Sequence, residues 1–219
     1  MIKGFIFDLD GVLVDTAKFH FQAWKRLANT LDIDFTEKQN EQLKGVGREE
    51  SLRKILEWGD KTISEEKFQE LMTQKNEWYL EMMNTMTEDD TLPGVKEFLK
   101  ESQKLHLKIA LGSASKNARK ILERVNITHF FDAIIDGTQT TKSKPHPQVF
   151  TMGAESLGLS PNLLVVFEDS QAGVEAANTG GFLSVGIGDK KTLNEARVVY
   201  QGLGTVSPVE VINHLNFEK

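Results

Sequence analysis

The stretch FIFDLDGVLVDT, residues 5–16, runs from an apolar segment straight into two aspartates one residue apart. Phe5-Ile6-Phe7 reads as a short buried strand. Asp8 and Asp10 then fall at its carboxyl end, where open α/β sheets place their ligands. Carboxylates held so close repel each other, and one takes up a proton unless a cation neutralises the group. The stretch therefore predicts both a parallel sheet and a charged site at its edge.

From Ala17 to about Met86 apolar residues recur at helical spacing and no strand signal interrupts them. Phe21, Trp24, Leu27, Ala28 and Leu31 share one face, and Phe68, Leu71, Met72 and Tyr79 share another. The tryptophans at 24, 58 and 78 are expected to pack within these helices. Leu92-Pro93-Gly94 then punctuates the chain. Beyond it strands alternate with helices, the candidate strands being 108–111, 133–135, 163–167 and 183–187. Such alternation implies a parallel sheet covered by helices through right-handed crossovers. The expected fold is α/β, with a Rossmann-like parallel-sheet core formed by residues 1–14 and 89–219. An all-helical segment, residues 15–88, is inserted after the first strand.

At 219 residues the chain is long enough for one large domain with such an insertion. A content of 39% hydrophobic and 26% charged residues is ordinary for a globular protein and argues against disorder. A formal net charge of -6 gives no electrostatic case for sequence-independent binding to nucleic acid. The absence of cysteine excludes disulfides, thiolate catalysis and zinc–thiolate sites. Acids at positions 8 and 10 break the first apolar run, so it reads neither as a signal peptide nor as a membrane span. Together these features predict a cytoplasmic protein acting on a small molecule, with no nucleic-acid or membrane partner. Nothing in the sequence calls for more than a monomer.

Three further polar clusters follow expected strands: Gly112-Ser113-Ala114-Ser115-Lys116-Asn117, Ser143-Lys144-Pro145 and Glu168-Asp169-Ser170. All strand carboxyl ends of a parallel sheet lie along one edge, so these clusters should converge on Asp8 and Asp10. A site with few carboxylates and room for water and phosphate oxygens suits Mg²⁺. Asp8 and Asp169 are the expected ligands, with Glu168 a third candidate. Ser113 and a lysine would take the remaining oxygens of a phosphoryl group, and both Lys144 and Lys142 stand near enough for that place. Asp169 and Ser170 also suit the N-cap of a following helix, a role compatible with metal binding.

DLDGVLVDT at 8–16, the Ser113 cluster, Lys144 before a proline and EDSQAG at 168–173 occur in order over nearly the whole chain. Together they resemble the four motifs of the haloacid dehalogenase superfamily. LKGVGREESL at 43–52 and GSASKN at 112–117 are similar to the sugar-phosphate mutases of that family. The resemblance implies a HAD-like core with a helical cap, and an enzyme that works through an aspartyl phosphate. Asp8 would be the nucleophile and Asp10 the general acid and base. Asp8, Glu168, Asp169 and the main-chain carbonyl of Asp10 would hold one Mg²⁺. Ser113 and Lys144 would bind the transferred group, which selects Lys144 over Lys142. The chemistry is coherent: a carboxylate nucleophile divides one hard transfer into two, and a second acid protonates one oxygen and deprotonates the next.

In the cap the resemblance implies that Arg48 clamps the phosphate that is not reacting, a task suited to a bidentate guanidinium. Gly45 and Val46 would contact the sugar beside Lys44. Thr16, His20 and Lys75 match hinge and cap positions linked to closure. Ser115, Lys116 and Asn117 would share the distal phosphate, and they lie where a helix should start, a favourable place for an anion. The implied reaction interconverts β-glucose 1-phosphate and glucose 6-phosphate through β-glucose 1,6-bisphosphate, which also serves as activating phosphoryl donor. A phosphatase using the same residues with water as acceptor is the alternative. Two positions depart from the pattern: Gly47, where the mutases carry serine, and Val166, where glycine is frequent.

Overall fold

The computed structural model describes residues 2–43 and 46–217. In chain order its main elements are β1 (Gly4–Phe7), α1 (Ala17–Thr30), α2 (Glu37–Glu41), α3 (Arg48–Trp58), α4 (Glu65–Met83), α5 (Val95–Lys104), β2 (Lys108–Gly112) and α6 (Ala118–Arg124). There follow β3 (Ala133–Ile135), α7 (Gln148–Leu157), β4 (Leu164–Glu168), α8 (Gln171–Thr179), β5 (Leu183–Ile187), β6 (Val198–Tyr200) and α9 (Pro208–Phe217). Two compact units result, one of residues up to 15 with those from 87 onward, the other of residues 16–86.

In the first unit the strands form a parallel sheet in the order β3-β2-β1-β4-β5-β6. Side chains alternate across a strand, so Phe5 and Phe7 share one face of β1 and Ile6 takes the other. Phe5 and Phe7 meet Phe98 of α5 and Phe167 of β4, with Phe7 and Phe167 stacked at 4.7 Å between centroids. Ile6 joins Ala110 and Val166 in a second core against Val149, Phe150 and Ala154 of α7 and Ala176 and Ala177 of α8. Because both faces are covered, β1 and residues 164–167 of β4 are apolar without alternation, and only Glu168 at the carboxyl end of β4 is charged. Val166 pairs with Ile6 in this core, so its side chain fills space under the sheet.

The chain leaves β1 for β2 and β3 on one side, then returns to place β4 on the other. The strand order thus reverses at β1, the position where such sheets open a crevice beyond their carboxyl ends. β6 was not among the expected strands. It has three half-buried residues at the sheet's rim, too few and too lightly buried to give a strand signal.

The second unit is helical. Trp24, Leu27 and Ala28 of α1, Leu52, Ile55 and Leu56 of α3, and Phe68, Leu71 and Met72 of α4 form one apolar core. Trp58 and Trp78 pack against its margin. Helix starts are fixed locally: Thr36 and Gln39 form a capping box on α2, and the Ser64 hydroxyl accepts from the Lys67 amide at α4. The buried face of α4 continues through Lys75 and Tyr79. The Lys75 ammonium lies over the rings of Trp24 and Tyr79, at 4.5 and 5.1 Å. No described helix is long and apolar enough to cross a membrane.

Candidate active site

Asp8 stands immediately after β1, its amide still donating to Phe167 O of β4 at 2.9 Å. The chain then turns within six residues, with Gly11 N donating to Val14 O and the amides of Leu13 and Val14 donating to Leu9 O. Gly11 sits at φ +79, and a Cβ added there would lie 2.1 Å from Asp169 Oδ2. The loop after β1 and the acid after β4 therefore touch, and only a residue without a side chain permits it. We expect Gly11→Ala to cost about 1–2 kcal/mol of stability from the backbone alone and to displace Asp169. Chemical denaturation and Mg²⁺ titration of the variant check this, and wild-type values in both would contradict it.

Lys144 arrives from the loop before α7 and bridges Asp8 Oδ1 and Glu168 Oε1, all three residues being buried. The Lys144–Pro145 peptide bond is cis. Lys142 goes elsewhere, its ammonium 3.3 Å from His146 Nε2 on the surface. The loop that delivers Lys144 is held by Gln148, whose Oε1 accepts from the amides of Thr141 and Lys142 at 3.0 and 2.8 Å. Gln148 carries no reactive chemistry, and its role became visible only with the fold.

Glu168 Oε2 accepts from both the amide and the hydroxyl of Ser170 at 2.8 Å. The same hydroxyl accepts from Gly173 N at 3.2 Å, so Ser170, not Asp169, caps α8. Ser113 follows β2, paired alongside β1 through the Phe7–Leu111 register, and is buried. Its hydroxyl accepts from Ser115 N at 3.1 Å, and the Ser115 hydroxyl accepts from Asn117 N at 3.2 Å. Two amides ahead of α6 are thus already bonded within the loop. Ser115 and Asn117 are half-buried and Lys116 is exposed.

Burial raises the Asp8 carboxyl, Lys144 opposes that, and nearby Glu168 adds to it, leaving Asp8 at about 6. Burial alone would depress Lys144, but Asp8 and Glu168 outweigh it and hold the lysine above its usual value. One ammonium thus serves two buried carboxylates, with Asp169 against the adjoining loop. The donors are all hard oxygens. Among the described residues no three acids, histidines or cysteines already form a metal cluster. Such oxygen donors suit an ion which keeps waters and takes further oxygens from a phosphoryl group, as Mg²⁺ does.

The remaining residues singled out lie in the helical unit. Lys44 and Gly45 fall outside the described residues, and Val46 is half-buried. Arg48 opens α3 after Gly47, which serves as its N-cap. Its guanidinium donates to the neutral Asn76 Oδ1 at 2.6 Å, and partial burial lowers its pKa. Thr16 is fully buried at the start of α1, and its carbonyl accepts from the amides of Phe19 and His20.

The Lys75 ammonium lies 3.0 Å from His20 Nδ1. An ammonium can only donate, so Nδ1 accepts and the ring proton sits on Nε2. Burial first, then Lys75 and Arg48, hold His20 well below the usual histidine range. With the folded value below the unfolded one, the unfolded chain binds the extra proton, so stability falls as pH drops through about 6.5. His20→Gln keeps an acceptor and removes this slope, about 1.4 kcal/mol per pH unit at most. Unfolding free energies of both proteins at pH 7 and 5 test this, and parallel profiles would contradict it.

This edge site can be set beside known proteins. The chain is 43% identical over 201 residues to β-phosphoglucomutase of Bacillus subtilis, covering 90% of this chain and 88% of that one. It is 30% identical over 219 residues to a phosphorylated carbohydrates phosphatase of Thermotoga maritima, covering 98% of each. Its fold superposes on the crystal structure of β-phosphoglucomutase from Clostridium difficile with a TM-score of 0.95 and 39% identity, covering 100% of this chain and 99% of the other. The family pattern described as haloacid dehalogenase-like hydrolase runs over residues 5–187, from the strand that presents Asp8 to the end of β5. That span takes in all four polar clusters and the helical unit between the first and second, so the chain belongs to the haloacid dehalogenase-like hydrolase family.

Proposed function

We propose that this enzyme is a β-phosphoglucomutase, interconverting β-glucose 1-phosphate and glucose 6-phosphate through an aspartyl phosphate and β-glucose 1,6-bisphosphate. The observation that carries the reading is the buried Asp8–Lys144–Glu168 bridge at the sheet's switch point, in a chain 43% identical to such an enzyme. The Asp8 carboxylate attacks phosphorus and takes the phosphoryl group, while Asp10 gives a proton to the departing sugar oxygen. In the return step Asp10 removes a proton from the sugar hydroxyl that attacks the aspartyl phosphate. Lys144 and the Ser113 hydroxyl hold phosphoryl oxygens. One Mg²⁺, when bound, supplies further neutralisation of those oxygens. Asp8, Asp169 and the Asp10 carbonyl would hold it, with Glu168 available once Lys144 releases Oε1.

We assign Ser115, Lys116, Asn117 and, from the helical unit acting as cap, Arg48 to the phosphate that is not being transferred. Arg48 faces a neutral amide rather than a carboxylate, so its charge is left for an anion. Val46, Lys44 and Gly45 are assigned to the sugar, and Thr16, His20 and Lys75 to the cap's response. Residues 1–14 with 89–219 then form the core and 15–88 the cap. We take the protein to be cytoplasmic and monomeric.

The test incubates the protein with Mg²⁺, β-glucose 1-phosphate and a trace of β-glucose 1,6-bisphosphate. Glucose 6-phosphate and inorganic phosphate are followed in one sample. The mutase makes glucose 6-phosphate far faster than phosphate, and only when the bisphosphate is present. Dominant phosphate release would place the chain with the phosphatases instead.

A further inference from the structure

Asp136 is a buried acid to which neither the motifs nor the mechanism gives a task. It directly follows β3, one strand away from the Ser113–Asn117 loop that leaves β2. Its Oδ2 accepts from Arg119 Nε at 3.1 Å, and its Oδ1 accepts from the amide of Thr138 at 2.8 Å and from the Thr138 hydroxyl. Arg119 also donates from Nη2 to Ile134 O at 2.9 Å. Arg119 lies in the first turn of α6, directly after the loop, so the ion pair fastens the loop's far end to β3.

The near end and the middle are fastened to the same strand exit. Ser113 N donates to Ile135 O at 3.0 Å, and Gly137 N donates to Ser115 O at 3.1 Å. Gly137 is wedged so closely that a Cβ there would stand 2.1 Å from Ala114 O and 3.1 Å from Lys116 N. A five-residue loop is thus held at its start, centre and end by residues 134–137. The Asp136 carboxylate, tied to Thr138, sets the conformation of the segment that does the holding.

We propose that the Arg119–Asp136 pair is a positioning device for the distal-phosphate loop, fixing Ser115, Lys116 and Asn117 where they meet the non-reacting phosphate of the substrate. This rests on the function proposed above. Arg119 is half exposed and touches no reacting group, so its effect is on grip rather than chemistry. Loss of the tie lets α6 and the loop drift, and contacts to a phosphate fall off steeply with small displacements. Asp8 itself is anchored on β1 and β4, away from this tie.

The test compares wild type, Arg119→Met and Arg119→Lys, all with Mg²⁺. Arg119→Met keeps the aliphatic stem and removes the ion pair. We expect its KM for β-glucose 1-phosphate to rise about tenfold, with kcat within about threefold of wild type. Labelling of Asp8 by acetyl phosphate, a donor with no second phosphate, should be unchanged, and Arg119→Lys should recover part of the KM. An unchanged KM overturns the proposal. So does a parallel fall in KM-independent rate, labelling and thermal stability, which marks a merely structural pair. A wild-type chain that is labelled but makes no glucose 6-phosphate fails the proposed function itself, and the positioning role falls with it.

Discussion

Asp8→Asn is expected to lower turnover of β-glucose 1-phosphate by about 10⁴-fold or more while leaving the protein folded. The amide matches the carboxylate in size but cannot attack phosphorus, so no aspartyl phosphate forms. Folding should survive because burial already disfavours the charge. Asp8 sits at about 6, above its ordinary 3.8. A carboxyl raised in this way stabilises the fold only in its protonated form. Its favourable contribution is complete below pH 4 and is lost as pH rises through about 6. Asparagine resembles that neutral form, and Lys144 retains Glu168 as a partner. Rates by coupled assay and a melting curve check both halves. Residual activity of a few per cent, with no contaminating enzyme, would contradict the nucleophile assignment.

Lys144→Met is expected to act in the opposite way, damaging the fold as well as the reaction. It leaves Asp8 and Glu168 buried together without the ammonium that bridges them. Stranding buried charges costs about 3–5 kcal/mol, less whatever is regained when one acid takes up a proton. Loss of a positive group aimed at the transferring phosphoryl should lower kcat by about 10²–10³-fold. Mg²⁺ should restore part of the stability but little of the rate, because a metal can neutralise the acids without replacing the hydrogen bonds to oxygen. Denaturation curves with and without Mg²⁺ test this. A variant as stable as wild type in metal-free buffer would contradict the reading of the bridge.

The parts legible in the sequence were those encoded by neighbours. Phe5-Ile6-Phe7 before Asp8 announces a buried strand with an acid at its exit, and the parallel sheet bears this out. The helical face of Phe68, Leu71, Met72 and Tyr79 was readable from spacing alone, and these residues are buried in α4. Lys75 shares that buried face, but in the sequence only its match to a family position singled it out. Contacts between distant segments were not legible. Only Ser143 separates Lys142 from Lys144, and without a family pattern nothing local says which one reaches Asp8. Gln148, Arg119 and Asp136 are ordinary polar residues by composition. Their roles arise because β3 lies beside β2 and because α7 begins where the lysine loop ends. β6 escaped for a related reason, since an edge strand is supported on one side only and needs few apolar residues.

The most direct test follows the phosphoryl group itself. Asp8 is labelled with radioactive phosphate from acetyl phosphate, freed of donor, and mixed with excess β-glucose 1-phosphate in a rapid-quench device. If the chain is a mutase, the label leaves the protein into β-glucose 1,6-bisphosphate and then glucose 6-phosphate, faster than it appears as inorganic phosphate. If the label passes to water at the same rate with and without the sugar phosphate, Asp8 serves a phosphatase and the central claim is wrong.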